Sequence, residues 1–222
     1  MKKKTLLSWS SGKDAAWALH LLRQDPAVEL VGLFSTVNEA YGRVSMHATR
    51  VELLQRQARS VELTLEMVRL PEVCSDEIYA NVMRRFIDAV CARGVEAIAF
   101  GDLFLEDIRQ YREKQLAGTG IEPLFPVWGL ATDELARQML DAGVVAHVSS
   151  VDLAKLPVEF AGRRWTRELI DELPHGCDPC GENGELHTIV TAGPMFRESI
   201  PVRAGEIVER DGFAYADIVP VD

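Results

Sequence analysis

Two short stretches of this chain concentrate the residue types that handle phosphate and protons. The first is Ser8-Trp9-Ser10-Ser11-Gly12-Lys13-Asp14. Small residues let a backbone turn tightly and approach a ligand. If a helix starts there, its unpaired N–H groups and the positive end of its dipole form an anion cradle. Ser10 and Ser11 add hydroxyl donors and Lys13 adds a charge. The order is not that of a Walker A loop, because Asp14 follows the Gly-Lys pair where Ser or Thr is required. An acid beside a phosphate site either orders the loop or meets Mg²⁺, directly or through water. The plain alternative is a serine-capped turn between a strand and a helix.

The second stretch is Gly181-Glu182-Asn183-Gly184-Glu185-Leu186-His187-Thr188. It holds two carboxylates, an amide, an imidazole and a hydroxyl, and its two glycines imply a tight backbone. On a strand entry Glu185 and His187 point to the same side. A carboxylate near a histidine sets its tautomer and raises its pKa. The alternative here is a polar surface loop. Cys177-Asp178-Pro179-Cys180, flanked by His175 and His187, lies just upstream. It reads as ordinary loop cysteines, a zinc site or a redox pair.

The elements that must position these residues alternate. Thr5–Ser8, Val28–Thr36, Leu63–Leu70 and Glu96–Phe100 read as strands. Ala15–Arg23, Thr49–Val61, a stretch capped by Ser75 and running to about Arg93, and Leu103–Leu116 read as helices. That alternation predicts an α/β fold with a parallel sheet covered by helices on both faces. Such sheets bind ligands beyond the carboxyl ends of their strands. The first motif, Thr36–Asn38 and Gly101-Asp102 all follow strands. The texture changes near residue 120. A helix from Asp133 capped by Thr132, a strand Val144–Val151, a short helix Thr166–Leu173, a strand Ile189–Thr191 and a hairpin turning at Asp211-Gly212 follow. We therefore expect a nucleotide domain over 1–120 and a smaller α+β substrate domain over 121–222.

Composition narrows the class. The 222 residues are 47% apolar and carry 24 Lys and Arg against 34 Asp and Glu, a formal charge of −10. An acidic chain repels phosphate backbones, so nucleic acid is an unfavoured partner. No apolar run reaches the ~20 residues of a membrane span, Leu6-Leu7 is too short for a signal peptide, and four cysteines make no disulfide framework. The expectation is a reduced, cytoplasmic protein without membrane contact.

Ser10-Ser11-Gly12-Lys13-Asp14-Ala15 resembles the PP-loop of the N-type ATP pyrophosphatases, usually Ser-Gly-Gly-x-Asp-Ser. Ser11 replaces the first Gly and Ala15 the closing Ser. The second motif is similar to the Gly-Glu-Asn-Gly-Glu-aromatic-His-Thr signature of the diphthine–ammonia ligase family, with Leu186 at the aromatic position. Ser45-Met46-His47 with Leu53-Leu54 and Gln57-Ala58 fits the same family, as do Gly101-Asp102 with Asp107 and Arg109, and Pro123-Leu124 with Pro126 and Trp128.

The resemblance implies a Rossmann-like sheet of the adenine nucleotide alpha hydrolase type. It also implies an ATP- and Mg²⁺-dependent ligase that adenylates a carboxylate and passes it to ammonia. The acceptor is diphthine on an elongation factor or a small metabolite, ammonium is the nitrogen source, and a homodimer is a possible assembly. ATP would be held by Ser8, Ser10, Ser11, Gly12, Lys13, Asp14, Thr36, Asn38, Gly101 and Asp102, with Asp14 and Asp102 near Mg²⁺. Lys13, Asp14, Glu182, Glu185 and His187 would do the chemistry, while His47, Arg109, Asn183 and Thr188 would face the substrate. For Asp102 a helix cap, for Arg109 a solvated helix charge and for His47 a structural role are the competing readings. A tRNA-thiolating PP-loop enzyme using Cys177 and Cys180, and an ATP sensor without turnover, are the alternative functions.

Overall fold

The computed structural model describes residues 1–40, 42–44 and 49–221. The first sheet contains β1 (Lys3–Ser8), β2 (Val28–Asn38), β3 (Arg43–Val44), β4 (Leu65–Leu70), β5 (Ala97–Ala99) and β6 (Glu122–Leu124). Its parallel strands run in the order β4-β2-β1-β5-β6, and β3 adds antiparallel to the end of β2. From β1 the chain moves outward to β2 and β4, then returns to build β5 and β6 on the other side. The strand order reverses at β1, and a crevice must open there beyond the carboxyl ends.

Helices cover both faces, as the alternation predicted. On one face α1 (Lys13–Gln24) and α2 (Val51–Ser60) bury Ala16, Leu19, Leu53 and Leu54 against Leu7 and Leu33. On the other, α3 (Asp76–Ala92) buries Met83, Phe86 and Val90 against Leu6, Phe34 and Ile98, and α4 (Glu106–Leu116) follows it. Ser75 caps α3 by accepting from the amide of Ile78 at 3.3 Å, and Gly94 ends it with φ +79°.

A second, antiparallel sheet follows α5 (Thr132–Asp141): β7 (Val145–Asp152), β8 (Arg164–Trp165), the short α6 (Arg167–Asp171), β9 (Leu186–Ala192), β10 (Val202–Arg210) and β11 (Phe213–Pro220). Its order is β10-β11-β7-β8, with β9 pairing β7. Asp211 and Gly212 turn the hairpin with φ +53° and +82°. The free edge of β9 docks on the first half of the chain: the amide of Val190 donates to Ser11 O at 2.9 Å, and Gln57 Nε2 donates to Val190 O at 2.7 Å. One apolar core therefore runs from Leu7 and Leu19 through to Val148 and Val190.

Two expectations shift. The first sheet takes in Glu122–Leu124, so the change of sheet falls one strand later than residue 120. Thr132 is the first residue of α5, and Ala131 occupies the cap. Among the described residues no helix is long and apolar enough to cross a membrane.

Candidate functional site

The turn after β1 is built from backbone. Ser11 adopts φ +74°, the left-handed region that the Gly of a PP-loop occupies freely and that disfavours a side chain bearing a Cβ. Gly12 then caps α1 in an extended conformation with no side-chain cap. Ser10 Oγ accepts from the Gly12 amide at 3.3 Å. The start of α1 faces outward at the carboxyl end of the sheet. Its first-turn amides have no intrahelical acceptor, which makes an anion seat. Gly101, after β5, makes this packing possible. A Cβ there would lie 2.8 Å from the Ala15 nitrogen and 3.0 Å from its Cα.

Two side chains expected in the cradle point inward instead. Ser11 is fully buried, and its hydroxyl meets that of Thr49. Its left-handed backbone directs the side chain into the body of the protein. Lys13 is 1% exposed. Its ammonium binds both oxygens of Asp14, at 3.0 and 2.9 Å, and the carbonyl of Cys180, and stands 5.3 Å from the centre of the Trp165 ring. Burial is the strongest single influence and would lower its pKa, but Asp14, Cys180 and Asp178 together reverse it and the net direction is upward, so the ammonium stays charged. Lys13 thus pins the first motif to the loop that carries the second.

A cavity of about 410 Å³ opens beside the turn, at the carboxyl ends of β1, β2 and β5. Ser8, Ser10, Thr36 and His187 supply polar walls, while Phe34, Tyr79, Met83 and Phe100 supply apolar ones. It suits a flat heteroaromatic ring with a polar tail directed at the turn. Asn38 does not line it. Its amide lies 3.5 and 3.4 Å from the carbonyls of Pro71 and Glu72, and its oxygen accepts from the Ala40 amide, so it ties down the end of β2.

The second motif arrives through the β7–β9 ladder. Gly181 and Gly184 have φ +75° and +82°. A Cβ on Gly181 would lie 2.5 Å from Leu186 O, which explains why the loop needs glycine there. Thr188 Oγ1 accepts from the Lys13 amide at 3.2 Å, placing this hydroxyl on the first motif rather than on a substrate. Glu185 is 3% exposed; its Oε1 accepts from the Asp178 amide at 3.0 Å and Asn183 Nδ2 at 3.1 Å. Glu182 accepts from the Leu103 amide at 2.7 Å, and its own amide donates to Asp178 Oδ2 at 2.9 Å.

These charges are tuned by burial. Burial, with Asp14 and Asp102 nearby, pushes the Glu182 carboxyl up to about 7 despite the Leu103 amide. Burial, aided by the Lys13 charge, pulls His187 down to about 4 and leaves its ring neutral at neutral pH. The Glu182 carboxyl therefore exchanges its proton near neutral pH, whereas the His187 ring does so only in acid. Asp102 is also raised by burial, with Arg112 at 3.5 Å opposing.

Asp14 and Asp102 both act electrostatically on Glu182, yet among the described residues no three His, Cys, Asp or Glu side chains group closely enough to hold a metal. Mg²⁺ bound to a nucleotide needs only one or two protein carboxylates, with phosphate oxygens and water completing its octahedron. The all-oxygen donors Asp14 and Asp102 fit that demand. A zinc site of His175, Cys177, Cys180 and His187 is not formed among the described residues. Cys180 Sγ instead donates to Thr132 O at 3.5 Å, and burial lifts its thiol far above the ordinary range.

Arg109 packs among aromatic rings. It stacks 5.0 Å from the Phe125 ring centre and 4.7 Å from that of Trp128, and binds Glu113 at 2.9 Å. Arg112, one turn further along α4, lines the cavity and pairs with Asp102. Sequence reading also missed Asp178. The signal for Arg112 was its i,i+3 spacing from Arg109. His47 lies outside the described residues.

Comparison with known proteins agrees with this pairing of motifs. The family profile described as diphthamide synthase N-terminal domain matches residues 2–123, and that described as diphthamide synthase C-terminal domain matches residues 131–219. The chain is 28% identical over 130 residues to human diphthine–ammonia ligase, and 25% identical over 131 residues to the bovine protein of that name. Each alignment covers 56% of this chain and 48% of the relative, so the chain spans about half the length of the curated relatives it matches. With both halves of the chain matched in order, it belongs to the diphthamide synthase family.

Proposed function

We propose that this chain is an ATP-dependent, AMP-forming carboxylate–ammonia ligase. The observation that carries the reading is the closure of the two motifs on each other: Thr188 holds the first amide of α1, and Val190 and Gln57 hold the carbonyl of Ser11. A phosphate seat and a tuned carboxylate thereby share one crevice. The adenine lies in the 410 Å³ cavity, against Phe34 and Phe100. The outer phosphates lie on the amides that open α1. Asp14 and Asp102 would hold Mg²⁺, which would supply charge neutralisation to the phosphates when bound.

An acceptor carboxylate oxygen attacks the α-phosphorus, the α–β bridge breaks and pyrophosphate leaves. Ammonia then attacks the acyl carbon and AMP departs with the bonding electrons of the acyl–oxygen bond. Ammonium must first lose a proton, and Glu182 takes it. The diphthine–ammonia ligases among the relatives point to diphthine as acceptor. A small carboxylate metabolite is the other candidate. The division into a nucleotide half and a substrate half, and a cytoplasmic setting, belong to this reading.

The test is a steady-state assay with ATP, Mg²⁺, ammonium and either diphthine-bearing elongation factor or a panel of small carboxylates. Acceptor-dependent release of AMP and pyrophosphate in equal amounts is expected. ATP binding without release would leave a sensor as the better description. A thiolating role is disfavoured by the buried, strongly raised thiol of Cys180, and replacing Cys177 and Cys180 together by Ser is expected to leave amide formation in place.

A further inference from the structure

Among the described residues three buried side-chain polar atoms have no hydrogen-bond partner: Ser149 Oγ, Ser150 Oγ and Glu185 Oε2. Such atoms are rare, and each calls for a water, an ion or a ligand. All three belong to β7 and the entry to β9. The ladder sets Ser150 opposite His187, and the Asp152 amide donates to Glu185 O at 2.9 Å. Alternation along the strands puts Ser150, His187, Asp152 and Glu185 on one face. Val151 and Leu186, paired between them, are turned to the core. Tyr215 of β11 pairs with Ser150 and extends the row outward. Ser149 sits at the irregularity where the ladder shifts register.

The chemistry of the unpaired atoms selects the ligand. Glu185 Oε1 is filled by two donors, so what Oε2 lacks is another donor. Ser150 Oγ can accept as well as donate. Glu185 is 3% exposed and Ser150 is fully buried, so the missing group is about the size of a water molecule. Lys155, a cation on this side, is held by Asp152 at 3.4 Å and by the Asn183 carbonyl at 2.7 Å. His187, in the same row, also lines the nucleotide cavity. A small cation between the two orphan oxygens would therefore be separated from the reacting centre by one side chain.

We propose that Glu185 Oε2 and Ser150 Oγ form the seat of the ammonium ion, with Ser150 as a positioning residue. This rests on the ligase reading above and names the site of its second substrate. Ammonium carries four N–H donors and no acceptor, which is what two acceptor oxygens in a closed space require. From the seat the ammonium passes by His187 into the crevice, where Glu182 takes its proton and frees ammonia for attack.

Two experiments on the full chain test it. In the AMP-release assay with ammonium chloride as the varied substrate, Ser150→Ala is expected to raise KM for ammonium about tenfold, the loss of one hydrogen bond to a charged group. KM for ATP should stay put and kcat should fall by less than KM rises. A crystal soaked in thallous acetate, whose monovalent cation substitutes for ammonium, should show an anomalous peak in contact with both oxygens. An unchanged KM for ammonium in Ser150→Ala, or a soaked crystal with only water between the oxygens, would overturn the seat. Wild-type protein that releases no AMP at any ammonium concentration would instead overturn the ligase reading, and the thallium peak would still report on the seat.

Discussion

The turn after β1 and the loop before β9 lie against each other and are built on opposite principles. The turn uses backbone: the left-handed Ser11, the extended Gly12, the amides opening α1 and the close approach of Gly101. Its two most conspicuous side chains, Ser11 and Lys13, face away from the cradle. The loop uses side chains: Asp178, Glu182 and Glu185 each catch a backbone amide and are held at set positions. Phosphate recognition is geometric and survives changes of residue type, such as Ser11 and Ala15, as long as the chain path holds. Proton handling depends on which group sits where. Mutations in the two regions should therefore fail in different ways.

The largest effect is expected in the loop. Glu182→Gln keeps the shape and the bond to Leu103 but removes the proton acceptor, so kcat for amide formation should fall about 10²–10⁴-fold while ATP affinity changes little. The same variant has a signature in stability. The folded pKa of Glu182 is raised to about 7 from an ordinary 4.5, so its contribution is full below pH 4.5 and is lost as pH rises through 7. His187, lowered from 6.5 to about 4, contributes above pH 6.5 and loses that as pH falls toward 4. The two slopes oppose each other in wild type. In Glu182→Gln the opposing Glu182 slope is gone, so urea midpoints should climb more steeply, or fall less, between pH 4.5 and 6.5 than they do in wild type. A Glu182→Gln protein with wild-type kcat would move the base elsewhere.

Lys13→Met comes next and asks whether the pin between the regions is structural. Breaking a buried ion pair costs about 3–5 kcal/mol, and the 23% exposure of the Asp14 side chain places this case near the lower end. Chemical denaturation should show that loss. Full stability with abolished ATP binding would make Lys13 a phosphate ligand instead. Gly101→Ala should cost about 1–3 kcal/mol, because the new Cβ meets the backbone of Ala15, which cannot swing aside. Here ATP affinity, read by calorimetry, should fall with stability, since the same displacement moves the amides of α1.

Much of this contrast was legible in the sequence, and the gaps have physical causes. The parallel sheet and its ligand edge followed from strand–helix alternation, and the Ser75 cap, the Gly94 stop and the Asp211-Gly212 turn are local chemistry. The strand Glu122–Leu124 was missed because Pro123 argues against a strand. Proline is tolerated there because β6 is an edge strand and Pro123 has no outer neighbour to bond. The inward direction of Lys13 was not legible, because its acceptor, the carbonyl of Cys180, is 167 residues away and the docking of β9 brings it there. Resemblance singled out Arg109 and was silent on Arg112 one turn further along, and it is the aromatic pair Phe125 and Trp128, distant in sequence, that claims Arg109.

The smallest expected effect gives the sharpest view of the backbone region. At position 11 three terms of similar size compete. A side chain in the left-handed region costs about 1 kcal/mol. A glycine costs about 0.5–1 kcal/mol in chain entropy. The buried hydroxyl contact between Ser11 and Thr49 contributes about 1 kcal/mol. Ser11→Gly relieves the strain but loses the contact and adds entropy, so its stability should lie within about 1 kcal/mol of wild type. Ser11→Ala keeps the strain, and like Ser11→Gly it loses the contact with Thr49, so it should be the less stable of the two by no more than about 0.5 kcal/mol. Both should bind ATP as wild type does, because neither changes the amides that open α1. Urea denaturation of the pair, beside an ATP titration, decides it. Loss of ATP affinity in Ser11→Gly, where the chain path is relaxed and only the hydroxyl is gone, would place that hydroxyl in the phosphate site and end the distinction between a backbone-built cradle and a side-chain-built loop.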